Sequence, residues 1–186
     1  MPDVQGDKVN SRITPSQLKA IFIHAKQSAI DLFADPINTV MEKYNIDTPL
    51  RMAHFLAQIG HESGELRYRE EIASGAAYEG RKDLGNTQKG DGGLFKGRGL
   101  IQLTGRANYA AYGNDIGVDL LAYPSLVASD ESLCVGVAGW YWNKKGLNKY
   151  ADADDIVTIT KRINGGLNGI QERRRLLILA KEQLKS

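Results

Sequence analysis

The sequence predicts a mainly α domain, all-helical or α+β, in which outer helices surround a glycine-rich loop or small hairpin region that faces a substrate cleft. Three observations lead there. A capping-type residue precedes proline three times near the N-terminus, apolar residues recur at helical spacing through most of the chain, and residues 73 to 99 are glycine-rich and weakly periodic.

Thr14-Pro15, Asp35-Pro36 and Thr48-Pro49 each read as a helix start. Proline suits the first helical position because its missing N–H would have lacked an intrahelical partner, and the preceding side-chain oxygen can accept from the next turn. At the first start Gln17 can complete a capping box. Leu18, Ile21, Phe22, Ala25, Ala29 and Leu32 follow at helical spacing, as do Ile37, Val40, Met41 and Tyr44 in the second segment, and both sets read as core stripes. The third helix carries Met52, Ala53, Leu56, Ala57 and Ile59 and meets Gly60, Ser63 and Gly64, where helix propensity falls. Residues 73 to 99 read as a long irregular excursion, and helical patterning returns at about Arg106 to Tyr112, Asp130 to Trp142, Asp154 to Ile163 and Gln171 to Leu184.

The 186 residues suffice for one domain with a real core, 1–186, closed by a basic amphipathic helix over 171–186. A hydrophobic share of 42% and a charged share of 25% are globular proportions, and a formal net charge of only +2 does not call for a nucleic-acid partner. Cys134 is the single cysteine, so no intramolecular disulfide forms; with three scattered histidines it leaves no thiolate-rich metal site. The stretch Met1 to Arg12 is polar and lacks the apolar core of a secretion signal, which predicts synthesis in a cytoplasm.

Two constellations can carry chemistry. The first, His61-Glu62-Ser63-Gly64-Glu65-Leu66-Arg67-Tyr68-Arg69-Glu70-Glu71, places several carboxylates at a helix end, where acidic residues are usually just solvated. It is not a zinc-protease motif, because Glu65 stands where the second histidine of H-E-x-x-H belongs. On a continuous helix Glu62 and Glu71 would lie about 13 Å apart along the axis and half a turn around it. A break at Ser63-Gly64 lets the chain fold back and set them across a cleft, at the roughly 6.5 to 9.5 Å that single-displacement glycoside hydrolysis requires. The second constellation is Phe95-Lys96-Gly97-Arg98-Gly99-Leu100-Ile101-Gln102-Leu103-Thr104-Gly105-Arg106-Ala107-Asn108-Tyr109. Here Ile101 and Leu103 can alternate inward while Gln102 and Thr104 face the other way; the plainer alternative is an edge strand before a helix that Thr104 merely caps.

These residues resemble glycoside hydrolase family 19, the chitinase family that also contains peptidoglycan-cleaving phage endolysins. The resemblance runs from about Thr48 to Arg175 and rests on three blocks: Ala53 to Gly64 around Glu62, Gly97 to Thr104, and Ile163-Asn164-Gly165-Gly166. It implies a lysozyme-like α+β fold, Glu62 as general acid, Glu71 as the base acting on water, and Thr104 as a holder of that water. Glu65 and Glu70 remain rivals of Glu71. The resemblance also implies that Gln102, Asn108, Tyr109 and Asn164 line the sugar cleft and that Arg173 matches a cleft arginine, with His61, Tyr68 and Arg98 completing the expected substrate-contacting set. No metal or other cofactor is implied.

Plant-type members have disulfides and long sugar-binding loops, whereas this chain has one cysteine and a short scaffold, so it looks more like the endolysin branch. The expected substrate is the glycan strand of bacterial peptidoglycan, with chitin as the alternative, cut by a monomeric enzyme that acts on the cell wall after release. Two rival readings belong to other classes: a non-catalytic glycan-binding module, and an envelope-disrupting protein acting through its basic C-terminal helix. Three further features are set aside. His54 and His61, seven apart on one helix face, are read as holding a helix end or a carboxylate rather than a metal. Asp152, Asp154 and Asp155 are read as helix-capping residues, because a calcium loop counted from Asp152 would put Val157 at its glycine position and Ile163 at its twelfth ligand. Of Trp140, Tyr141 and Trp142, at least one belongs to the core.

Overall fold

The structure, a computed structural model, describes residues 12–185. The polar N-terminal stretch lies outside them except for Arg12. Ten helices are described: α1 (Pro15–Ile21), α2 (Gln27–Lys43), α3 (Pro49–Glu62), α4 (Asp91–Leu94), α5 (Arg106–Ile116), α6 (Leu126–Ser129), α7 (Glu131–Lys144), α8 (Asn148–Asp152), α9 (Ile156–Asn164) and α10 (Ile170–Leu184). Among the described residues extended pairing is confined to two isolated antiparallel bridges, Glu70 with Arg98 and Arg98 with Leu103.

Two of the three expected proline starts are present. Thr14 and Gln17 form the capping box, with reciprocal bonds of 3.1 and 3.0 Å, and Thr48 accepts from the Arg51 N–H at 3.2 Å. The expected start at Asp35-Pro36 is not there. Pro36 lies inside α2, which begins nine residues earlier, and the helix expected to run on from Leu18 instead breaks between Phe22 and Lys26. Packing decides this outcome. Ile30, Phe33, Ala34, Ile37, Val40 and Met41 form one buried face across the proline, whose interior cost of about 3 kcal/mol is offset by that burial. Leu32, placed in the core stripe from sequence, is 46% exposed.

The apolar side chains divide into two cores. The larger joins α1, α2, α3, α9, α10 and one side of α7; the smaller gathers Phe95, Leu103, Tyr109, Tyr112, Leu120, Val127 and Val137. Both are fed by α7, which sends Cys134, Val135, Ala138 and Trp142 into the first and Val137 into the second. That double duty explains a helix that is apolar nearly all round. Trp142 is the core member of its aromatic triplet and meets Phe55 edge to face at 5.4 Å. The excursion 73 to 99 contains 3₁₀ turns at Ala76–Tyr78 and Lys82–Leu84 and the short α4; the small hairpin-like pairing straddles its end, between Arg98 and Leu103. Arg106 braces this excursion by gripping the fully buried Asp91 at 2.8 and 2.9 Å.

Of the five basic residues in the last helix and its end, three are committed to ion pairs: Arg173 with Glu62, Arg175 with Glu65 and Lys181 with Asp154. Leu176, Leu177 and Ala180 are buried, so α10 is a packed element of the fold. It lies against α3, and Gly60 makes the close approach possible: a Cβ there would sit 2.5 Å from the Phe22 ring and 3.1 Å from Leu176. Replacing Gly60 by Ala gains helix propensity of about 1 kcal/mol but overpacks a filled core, typically at about 1–3 kcal/mol. Gly60→Ala is therefore expected to lower stability by up to about 2 kcal/mol, read in urea as a lower midpoint at unchanged slope; a raised midpoint would show that Phe22 yields without cost.

Candidate active site

The local sequence Ser63-Gly64 ends α3 in a Schellman arrangement. The Gly64 N–H donates to His61 O at 3.2 Å and the Glu65 N–H to Gly60 O at 2.7 Å, with Gly64 at φ +57° where glycine carries no Cβ penalty. Ser63, fully buried, adds a second lock: its hydroxyl donates to Ile59 O at 2.6 Å and accepts the Leu66 N–H at 2.9 Å. The chain thus turns back directly after Glu62, and five residues beyond Leu66 it pairs with the glycine loop, where the Glu71 N–H donates to Gly97 O at 2.9 Å.

Glu62 stands at the C-terminal end of α3 with a quarter of its side chain exposed. Its Oε1 accepts from Arg173 at 2.6 Å. The Arg173 guanidinium is itself 1% exposed and donates to Gln58 Oε1 and to Asn168 O at 3.1 Å, while Gln58 Nε2 donates to Thr160 at 3.2 Å. One buried polar chain therefore runs from α9 through α3 to α10 and ends on Glu62. Beside it Tyr141 donates to Arg162 O at 3.1 Å; burial, and then the Glu62 charge, hold its hydroxyl above the usual phenol range.

The three later carboxylates take different environments. Glu65 is 3% exposed and is held by Arg175 at 2.8 Å and by the His24 N–H at 2.6 Å. Glu70 pairs with Lys96 at 3.1 Å and Arg98 at 3.3 Å. Glu71 is half-buried and has no cation at ion-pair distance among the described residues; its Oε2 accepts the Gly97 N–H at 2.7 Å. The Tyr78 hydroxyl lies near Glu71: burial, and then the Glu71 charge, keep it above the ordinary phenol range and so protonated. Gln102 is exposed beside the same carboxylate. A Cβ on Gly97 would lie 2.6 Å from Glu71 Oε2 and 2.7 Å from Gln102 Oε1, so only glycine lets these two groups converge there.

Burial alternates along Ile101, Gln102, Leu103 and Thr104 as expected, although a tight turn replaces the edge strand. Thr104 does not cap α5. The N-cap is Gly105, at φ +94°, with no side-chain bond; Thr104 instead offers its carbonyl to Asn108 Nδ2 at 2.8 Å and keeps its side chain half-exposed.

The expected substrate-contacting residues fall into two groups. Gln102, Asn108, Asn164 and Tyr68 are exposed, and His61 is half-exposed with its Nδ1 at 2.9 Å from Glu172. Tyr109, Arg98 and Arg173 lie underneath. Tyr109 is fully buried and donates to Lys96 O at 2.6 Å, and Arg98 spans Leu94 O at 2.7 Å and the Tyr109 hydroxyl at 3.0 Å. Sequence reasoning missed Tyr78, Gln58 and the orienting Gly97 N–H; a lone tyrosine between Gly75 and Gly80 was the one available signal for the first. His54 and His61 do not converge, since fully buried His54 faces Asp154 at 2.7 Å. Asp155 caps α9 through Thr158, whereas Asp152 and Asp154 serve Arg51 and Lys181. Burial pushes the Cys134 thiol up to about 11, which leaves it without nucleophilic character near neutral pH.

The arrangement of two carboxylates, one anchored by arginine and one oriented by a backbone N–H, with exposed amides nearby, is suited to acid–base work on a neutral polymer. Comparison with known proteins agrees. The glycosyl hydrolase family 19 model, described as chitinase class I, matches residues 51–162, more than half of the chain. A glycosyl hydrolase family 19 domain-containing protein of Haemophilus influenzae is 34% identical over 187 residues, covering 84% of this chain and 89% of its own length. An endochitinase of Arabidopsis thaliana is 38% identical over 115 residues, covering 62% of this chain, which spans only 39% of that longer protein. Among solved structures, chitinase C from Streptomyces griseus superposes with a TM-score of 0.76 at 23% identity, over 99% of this chain and 96% of that one. On the family match and the Haemophilus relative together, the chain belongs to glycosyl hydrolase family 19, and it is a glycoside hydrolase with the mainly helical, lysozyme-like fold of the family's chitinases.

Proposed function

We propose that the chain cuts β-1,4-linked N-acetylated amino-sugar polymers by a single displacement, with Glu62 as proton donor, Glu71 as general base and Thr104 as holder of the attacking water. The observation that carries this reading is the sorting of the carboxylates. Glu65 and Glu70 are committed to cations, whereas Glu71 is oriented by the Gly97 N–H and has no cation at ion-pair distance among the described residues. An acceptor held by a neutral donor at a half-open position can take a proton from water. Arg173 fixes Oε1 of Glu62, which presents the other oxygen to the glycosidic bond, and the same guanidinium stabilises the carboxylate left after donation. Gln102, Asn108, Asn164 and Tyr68 supply amide and hydroxyl contacts for acetamido sugars; Arg98, Tyr109 and Arg173 support them from beneath.

The polymer proposed is bacterial peptidoglycan, cut in an endolysin role after release from the cytoplasm of synthesis. The short scaffold with a single cysteine supports it. Chitin is the second reading, favoured by the endochitinase relatives. Incubation with purified peptidoglycan and with chitin oligomers, followed by identification of the new reducing end by mass spectrometry, separates them: cleavage of chitin alone would remove the endolysin role.

Glu62→Gln is expected to stay folded at reduced stability, since buried Arg173 loses its charged partner, and to lose at least about 100-fold in turnover, because an amide keeps the shape and cannot donate the proton; thermal unfolding and rate assays on the same sample check both halves. For Thr104→Val the expectation is a fall in kcat with binding little changed, since the hydroxyl acts on water and not on the ground-state sugar. An unchanged rate at unchanged stability would remove Thr104 from the mechanism.

Stereochemistry tests the pairing itself. Attack by water activated at Glu71, on the face opposite the leaving group, must deliver the α-anomer from a β-linked substrate. Proton NMR of soluble oligosaccharide hydrolysis at early times, before mutarotation, reads this directly; initial β-product would remove Glu71 as base while leaving Glu62 as acid.

A further inference from the structure

The turn between the two proposed catalytic carboxylates carries an unusual backbone. Gly64, Glu65 and Leu66 stand in succession at φ +57°, +56° and +69°. One left-handed residue suffices to end a helix and is ordinarily glycine, because a Cβ crowds the following carbonyl; L-residues visit this region singly, not in runs. Two consecutive side-chain-bearing residues therefore need a restraint from outside the turn, and at functional sites such strain persists only where its surroundings over-determine it.

Besides the Ser63 hydroxyl on the Leu66 N–H and the burial of Leu66, the restraint that reaches other elements by polar contacts is the Glu65 side chain. It points inward, 3% exposed, and is gripped from two other elements: Oε2 accepts the His24 N–H at 2.6 Å, from the link between α1 and α2, and Oε1 accepts from Arg175 on α10 at 2.8 Å, with His24 Nδ1 at 3.2 Å. Burial alone would push this carboxyl up; Arg175 and the two His24 contacts outweigh it and hold it below the usual carboxylate range. Arg175 lies two residues beyond Arg173, which holds Glu62, so α10 clamps the chain on both sides of the Ser63-Gly64 break. Only four residues separate Leu66 from Glu71, and the direction in which the chain leaves the turn fixes where Glu71 meets the Gly97 loop.

We propose that Glu65, tied to Arg175 and His24, is a positioning residue that sets the disposition of Glu71 relative to Glu62 by holding Glu65 and Leu66 in the left-handed turn. The inference rests on the reading of Glu62 and Glu71 as acid and base. It is tested with Glu65→Gln, Glu65→Gly, Arg175→Lys and Arg175→Met, using steady-state kinetics on a soluble amino-sugar oligosaccharide, thermal unfolding, and limited trypsin cleavage after Arg67 and Arg69.

Glycine is the informative substitution, because it removes the tie while being the residue most at ease at positive φ. Expected are a fall in kcat of about 10- to 100-fold for both Glu65 variants, with KM little changed, a smaller loss in Arg175→Lys than in Arg175→Met, and faster trypsin cleavage after Arg67 in Glu65→Gly at a temperature where the chain stays folded. Parental kcat in Glu65→Gly, or a loss that merely follows the unfolded fraction, would overturn the proposal. A parent protein that hydrolyses none of these glycans would instead overturn the catalytic reading; the trypsin experiment would then still decide on the tie, an unchanged cleavage rate refuting it.

Discussion

The buried Arg173 guanidinium is the constraint on which the site depends. A fixed positive charge with 1% exposure needs a partner, and Arg173 has Glu62 at 2.6 Å together with the Gln58 and Asn168 oxygens. Removing one member of such a pair ordinarily costs about 3–5 kcal/mol, because it strands the other charge away from water. That cost fixes the register of α10 against α3, since a slip of one residue would carry the guanidinium off the face that bears Gln58 and Glu62. The same register brings Arg175 onto Glu65 and Glu172 onto His61.

The second half of the site is set by backbone instead of charge. Gly97 admits the Glu71 carboxylate and the Gln102 amide to one spot, and Gly99, at φ +98°, lets the loop pack where a Cβ would lie 2.3 Å from Val137 of α7. Since α7 belongs to both cores, the loop with Gln102 and Thr104 is seated on the same helix that supports α3. Glu62 and Glu71 are thus positioned by different physical routes, a buried ion pair for the first and glycine-permitted close contact for the second.

Much of this was legible in the chain. The capping box at Thr14, the proline start at Thr48, the core stripe of α3 and the break at Ser63-Gly64 are local effects, decided within a few residues by hydrogen-bonding and steric preference. The Asp35-Pro36 start was not realised for the opposite reason: its local signal was real, but the face from Ile30 to Met41 buries across it, and tertiary packing outweighed the proline penalty. Tyr109, Arg98 and Arg173 were expected to contact substrate and lie buried instead, because a polar side chain in a motif gives no indication whether it faces a ligand or another part of the chain.

By itself the sequence determined the helical class, the family blocks around Glu62, Gln102 and Asn164, and the glycines that make the chain turn. Those are properties of residue type and spacing. What only the tertiary structure decided is the state of each carboxylate among Glu62, Glu65, Glu70 and Glu71, because the cations that sort them come from distant elements: Arg173 and Arg175 from the last helix, Lys96 and Arg98 from the glycine loop. Charge pairing acts through space at about 3 Å and carries no signature in local sequence, so four glutamates within ten positions remain equivalent until the chain folds around them.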